Sequence, residues 1–494
     1  MPGRRPAEQR TVAAGRTERG PRVPPVAMES TLLALIAGLA AWQLLIPPIL
    51  GVADQGDYAR VMRPLGLAHV GAAYEDTVFH WVQPRYRVVP ADWTDLLPSA
   101  ELLLAGTARG LHTVFWPDGL FDLRLLGAVH LAFYLAAIWL VLRAARTLPI
   151  PARIVIAIGA LLATPDVAYV AYLNSFYSEP ASLVFLLALL GVGLRWLRAP
   201  APGRAVAWAY FVCAALVVST KAQHHVLALP LALLPVLLLA SAEGRRMRPT
   251  LVAVAAGLLV VGASLLATMP DWLRNPARWN GVFYGLLLDS PSPAADLAAL
   301  GLEPTLARFV GVAGVEANGT VERAPVMEVG GRLDFRAIAA FYLRHPGRFV
   351  RVASRCAEHA FTWRGALLGN YTRDSGRPAR AHAPSLTGWS VFQDRVFPKR
   401  LWFLASFLAL FSGVAIWELR RGLGTPRART ALLCLTVGLM TVLAFAVVIL
   451  AGGIEDTAVD LFLFQVLFDV CLIAAAAWVA VQFARILPAA TRSE

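Results

Sequence analysis

STLLALIAGLAAWQLLIPPIL, residues 30–50, decides the fold class. It is an uncharged run as long as the ~20 apolar residues a helix needs to cross a bilayer. No small-residue cleavage site follows it, so it reads as a retained membrane helix and not a signal peptide. The next ten residues, GVADQGDYAR at 51–60, turn abruptly polar. Asp54 and Asp57 are three apart and share one face of a helical turn. Acidic side chains placed where a chain leaves the membrane stay ionised and can meet a lipid-borne substrate.

The rest of the chain repeats that first signal. Of 494 residues, 57% are hydrophobic and 16% charged, against roughly 25% charged in a soluble domain. Apolar runs recur near 123–142, 153–171, 180–197, 205–219, 225–240, 250–269, 401–418, 430–451 and 459–484. The expected fold is therefore all-α and polytopic, with about ten transmembrane helices. The runs at 205–219 and 225–240 are short, and two spans or one re-entrant hairpin both fit them. Residues 1–28 read as a disordered basic cytoplasmic tail, with Met28 an alternative start. An N-terminal membrane module then covers 29–269, with a loop at 51–122. A juxtamembrane segment covers 270–400, and C-terminal membrane helices cover 401–494.

Orientation follows from the short loops. Arg143/Arg146/Arg153, Arg195/Arg198/Arg204, Arg245/Arg246/Arg248, Arg420/Arg421/Arg427/Arg429 and Arg485/Arg492 all fall on one side, with the basic tail. The positive-inside rule makes that side the cytoplasm and both termini cytoplasmic, in an inner or plasma membrane. It also accounts for the net charge of +13 without nucleic acid. The unusual polar residues gather on the opposite face: Asp54, Asp57, Asp166, Asn174, Tyr177, Glu179, Lys221, Gln223, His224, His225, Asp271, Glu455 and Asp456. Membrane-edge ionisable groups are expensive and usually functional. Asp166, Glu455 and Asp456 are adequately explained as wet loop residues. Asp57 and Glu179 sit in tight polar clusters against apolar runs and are stronger candidates.

Residues 96–111 are semi-apolar and suit an amphipathic helix along the membrane surface. Residues 334–361 read as a helix pair broken at His345-Pro346, with Arg348, Arg351 and Arg355 at helical spacing. Arg351 and Arg355 are candidate phosphate ligands, a role that suits the guanidinium fork. Asn318-Gly-Thr and Asn370-Tyr-Thr match a glycosylation pattern that arises often by chance. The four cysteines show neither metal spacing nor a disulfide framework, and no Gly-rich phosphate loop is present. Carboxylates, cations and aromatic rings at one membrane edge fit glycosyl transfer from a lipid-linked sugar. A carboxylate takes the acceptor proton, cations stabilise the leaving phosphate, and single displacement inverts the anomeric centre. Asn174, Tyr177 and Ser178 fall at i, i+3 and i+4, and Glu179 could cap the next helix or meet a sugar hydroxyl. Lys221 could meet phosphate or snorkel at a span end.

One long first span, an acidic pair in the following loop, surface helices and many further spans resemble the plan of GT-C type integral membrane glycosyltransferases. More narrowly, Asp54-Gln-Gly-Asp57-Tyr58-Ala-Arg60, Tyr172-Leu-Asn174-Ser-Phe-Tyr177-Ser-Glu179 and Lys221-Ala-Gln223 are similar to motifs of WsfD-like hexose transferases of bacterial surface-glycan biosynthesis. The resemblance covers the plan of most of the chain, but the motifs are short. It implies Asp57 as general base with Asp54 second, a polyprenyl-phosphate sugar as donor, a glycan or lipid as acceptor, and no metal or cofactor. Arg60, Asn174, Tyr177, Glu179, Lys221, Gln223 and His224 fall in or beside its motifs as substrate-binding candidates. The large C-terminal soluble domain of the oligosaccharyltransferase branch has no counterpart in this sequence, which argues against a protein sequon as acceptor. Two other classes compete. A transporter or flippase of lipid-linked saccharides would use the same polar groups, and a glycan polymerase or ligase would use a late loop such as 270–400. Neither an internal repeat nor mid-depth polar clustering favours the transporter.

Overall fold

The computed structural model describes residues 25–71, 78–94, 96–199, 203–314, 323–452 and 457–490. Most of the basic tail, Asn318 of the first glycosylation pattern, and Glu455 and Asp456 lie outside them.

Each apolar run contributes a helix. The chain is an all-α, multi-pass membrane protein. Seven described helices are long and apolar enough to cross a bilayer. They are α1 (Pro25–Leu45), α3 (Leu123–Ala145), α5 (Glu179–Arg198), α8 (Arg248–Ala267), α12 (Leu401–Leu419), α13 (Pro426–Ala451) and α14 (Phe462–Ala490). The surface stretch forms α2 (Glu101–Phe115).

The expected run 153–171 is not one straight span. Helix α4 (Ile150–Ala163) and the helical turns Val167–Asn174 meet at 69°. Pro165 supplies no N–H to continue the ladder, and the Asp166 side chain caps the next turn by accepting from Ala168 N at 2.9 Å. The short runs give α6 (Arg204–Val218) and α7 (Ala228–Leu238), with a 3₁₀ turn at Ala222–Leu227 leading into α7. At 1.5 Å per residue α6 is about 23 Å long, short of the ~30 Å hydrocarbon core. The count of about ten is thus seven long helices, one bent pair and two short ones. The helix pair in the juxtamembrane segment forms α9 (Phe335–Arg344) and α10 (Pro346–Glu358), and α11 (Gly388–Val396) follows.

Loops meet in two separate sets, one at each end of the bundle. At one end, which we call the acidic end, Ser99 Oγ donates to Thr220 O (2.8 Å), Ala181 N donates to Glu101, and Lys221 pairs with Asp460. At the other, Arg146 pairs with Glu29, Arg198 donates to Thr147 O, and Arg427 pairs with Glu418. The acidic end also carries short strands that hydropathy does not announce. Strand β1 (Leu50–Val52) pairs antiparallel with β5 (Leu368–Tyr371), joining the loop after the first span to the juxtamembrane segment. A second sheet runs β2 (Leu67–His69), β3 (Arg85–Val88), β4 (Leu120–Asp122). Asn370, in β5, is fully buried and donates to the Ala366 and Ala381 carbonyls, so it is no surface glycosylation acceptor.

Candidate functional site

Strand β1 delivers the chain into the turn that carries both acids. Asp54 is 5% exposed. Its Oδ1 accepts from Gly56 N (2.7 Å) and Tyr58 N (3.2 Å), and its Oδ2 lies 3.0 Å from His69 Nε2. Gly56 has φ = 104°, a conformation that costs little only without a Cβ. Burial alone would lower the His69 pKa, but its hydrogen bonds to Asp54 and Gln83 hold it above the usual histidine value. Asp54 is therefore saturated and shapes the turn.

Asp57 is different. Its side chain is 34% exposed, and the Arg60 guanidinium grips it by two contacts of 2.9 and 3.1 Å. Arg60 also lies over the Trp272 ring, 5.8 Å from its centroid. Tyr177 braces the turn from below: its hydroxyl accepts from Gln55 N (3.1 Å) and donates to Ala53 O (3.4 Å). Its ring meets Tyr58 edge-on at 4.9 Å.

Glu179 opens α5 and is buried. Lys221, between α6 and α7, bridges Glu179 Oε1 (3.1 Å) and Asp460 Oδ1 (3.2 Å). Burial opposes its charge, but Glu179, Asp460 and, more distantly, Asp57 outweigh it and hold the Lys221 pKa above normal. Gln223 Nε2 donates to Asp460 O at 3.2 Å. Asp57, Tyr177, Glu179, Lys221 and Gln223 thus converge around one polar cluster. Tyr177 feels the charges of Asp54, Asp57 and Glu179 together.

Three sequence candidates take other roles. Asn174 has no exposed surface; its amide donates to Leu44 O (2.9 Å) and Leu50 O (2.8 Å), stapling the end of α1 to β1. Helical spacing suggested that Asn174 shares a face with Tyr177 and Ser178, but the helix ends at Asn174 and Ser175 is extended. His224 is buried with Nδ1 2.7 Å from Thr220 Oγ1, a local contact that anchors the start of the 3₁₀ turn. Arg355 is committed to Asp289, and its neighbour Arg348 to Asp296 at 2.9 Å. Arg351 is exposed on the same helix.

Sequence reading missed several groups here. His69 and Asp460 are polar residues in unremarkable surroundings whose partners lie far along the chain. Asp460 carried a weak signal, an acid at the head of an apolar run. Glu101 and His130 form a fully buried pair, 2.8 Å apart, with His130 Nδ1 donating to Leu173 O and Ala181 N donating to Glu101. Burial holds Glu101 above the usual carboxylate range. Asp166, expected to be a wet loop residue, is buried. It accepts from Trp389 N, Ser390 N and Ser390 Oγ at 2.9–3.0 Å, which fixes α11 to the bundle. Among the described residues, no group of three His, Cys, Asp or Glu side chains could hold a metal ion.

The chain matches the family model described as YfdI N-terminal transmembrane domain over residues 16–491. A comparison with curated proteins finds no match. Since the family match takes in nearly the whole sequence, the chain belongs to the YfdI N-terminal transmembrane domain family.

Proposed function

We propose that this protein is a GT-C type, WsfD-like glycosyltransferase. It moves a hexose from a polyprenyl-phosphate donor to a cell-surface glycan or lipid acceptor, with inversion. The acidic end faces away from the cytoplasm, as the arginine balance of the loops requires. The observation that carries the reading is the contrast between the two acids of one turn. Asp54 is buried and spent on backbone and His69, while Asp57 is one-third exposed and lies within range of the Lys221 charge, which Glu179 and Asp460 hold.

In this mechanism the acceptor hydroxyl gives its proton to the Asp57 carboxylate as its oxygen bonds to the anomeric carbon. The bond from that carbon to the phosphate oxygen breaks, and the leaving polyprenyl phosphate keeps the electron pair. Arg60 holds Asp57 in place. Lys221 meets the phosphate by giving up its contact with Asp460, while Glu179 keeps the ammonium positioned. Arg351 is the exposed cation left on its helix for the donor, since Arg348 and Arg355 are already paired. The test is transfer of radiolabelled hexose from its polyprenyl phosphate by the purified protein in detergent. Label reaching an acceptor supports the enzyme. Donor binding without transfer across a panel of donors and acceptors refutes it and favours a transporter, which needs two compartments.

A further inference from the structure

The bundle contains a cavity of about 980 Å³ between α3, α4, α5, α12, α13 and α14, well away from the Asp57 turn. That is the upper end of the ~300–1,000 Å³ range of ligand pockets. Its walls are almost wholly apolar, with side chains such as Leu187, Phe411, Val437 and Ile473. Along α14 it extends from Val466 to Arg485, about 29 Å at 1.5 Å per residue. An apolar, elongated volume of that kind suits hydrocarbon chains.

Its two ends differ in charge. At the acidic end, Asp469 is satisfied by Tyr169, Trp389 and Gln393 and offers nothing to an anion. At the other end Arg198, Arg427 and Arg485 line the mouth. Arg198 lies close enough to feel the charges of Arg427 and Arg429, and Arg427 those of Arg421 and Arg485. Glu418 pairs with Arg421 and Arg427, both at 2.9 Å. It is one carboxylate against five guanidinium groups. Arg198, which lines the cavity, is half-buried, and its Nε has no hydrogen-bond partner while another guanidinium nitrogen donates to Thr147 O. Setting membrane orientation does not require arginines to turn into the bundle, because Arg195 and Arg420 are exposed and serve that purpose, whereas Arg198 and Arg427 are half-buried along the cavity.

We propose that the cavity binds an anionic phospholipid, its acyl chains between the six helices and its phosphate on Arg198 and Arg427, at the end of the bundle opposite Asp57. Arginine suits phosphate through its paired N–H donors. The site does not depend on whether the chain transfers sugar.

The test is native mass spectrometry of delipidated full-length protein titrated with palmitoyl-oleoyl phosphatidylglycerol or with phosphatidylcholine of the same chains. The wild type retains one phosphatidylglycerol, at least tenfold in preference to phosphatidylcholine. Arg198→Gln/Arg427→Gln loses that preference. Ala160→Phe, which fills the cavity from α4 and leaves the arginines alone, retains neither lipid. Equal retention of both lipids by the wild type overturns the proposal. So does an unchanged preference in the arginine variant, or full retention by Ala160→Phe. Complete displacement of phosphatidylglycerol by polyprenyl phosphate also overturns it and gives the cavity to the donor's chain.

Discussion

Replacing each acid of the 54–57 turn by its amide separates chemistry from architecture. Asp57→Asn keeps shape and one acceptor for Arg60 but abolishes the base. General-base catalysis typically contributes 10²–10⁴-fold, about 2.7–5.4 kcal/mol in the barrier. The Asp57–Arg60 pair is one-third exposed on both sides, so its loss costs no more than about 1 kcal/mol of stability. Asp54→Asn should do the reverse. The new amide can still accept from Gly56 and Tyr58 N, but its NH₂ faces His69 Nε2 in place of a carboxylate oxygen. A buried charge-assisted bond is lost, worth about 1.5–3 kcal/mol. The assays are single-turnover transfer of radiolabelled hexose and the apparent thermal midpoint in the same detergent. The expected pattern is a transfer rate at least 100-fold lower with an unmoved midpoint for Asp57→Asn. For Asp54→Asn it is a lower midpoint with a smaller loss of rate. Near-normal turnover by Asp57→Asn refutes the assignment of the base. A midpoint drop equal in the two variants refutes the division of labour.

Lys221→Met leaves the buried Glu179 without its cation and should cost about 3 kcal/mol. The double variant Lys221→Met/Glu179→Met should recover most of that, and additive losses in thermal unfolding would count against the pairing. The raised pKa of His69 makes its contribution complete below the unfolded value of about 6.5 and lost as pH rises through the higher folded value. The wild-type midpoint should fall across that window above pH 6.5 relative to His69→Gln; parallel curves would dismiss the Asp54–His69 link. A Cβ at Gly127 would lie 2.0 Å from Asn174 Oδ1, so Gly127→Ala should disrupt the staple from Asn174 to Leu44 and Leu50 and destabilise by about 1–3 kcal/mol. An unchanged midpoint would show that the staple is dispensable.

The sequence by itself determined the helices and their two-ended arrangement, because burying backbone in lipid demands long uncharged runs whose ends must be polar. It also singled out Asp57, Glu179 and Lys221, since charge at a membrane edge is conspicuous against 57% hydrophobic composition. Tertiary structure alone decided which charges meet. Lys221 finds Asp460 across 239 positions, Asp166 finds Ser390 across 224, and Leu50 in β1 pairs with Tyr371 in β5. Hydropathy carries no record of such partners. The sequence ranked Asp57 ahead of Asp54 without saying what Asp54 does, and only the fold made Asp54 a buried brace and left Asp57 one-third exposed. Asn174 and His224 looked like ligands for the same reason: a polar side chain at a membrane edge reads alike whether it faces a cleft or, as here, backbone carbonyls and a threonine hydroxyl. The cavity beneath the arginine cluster was likewise invisible, because a void is a property of how six helices fail to close on one another and not of any one of their sequences.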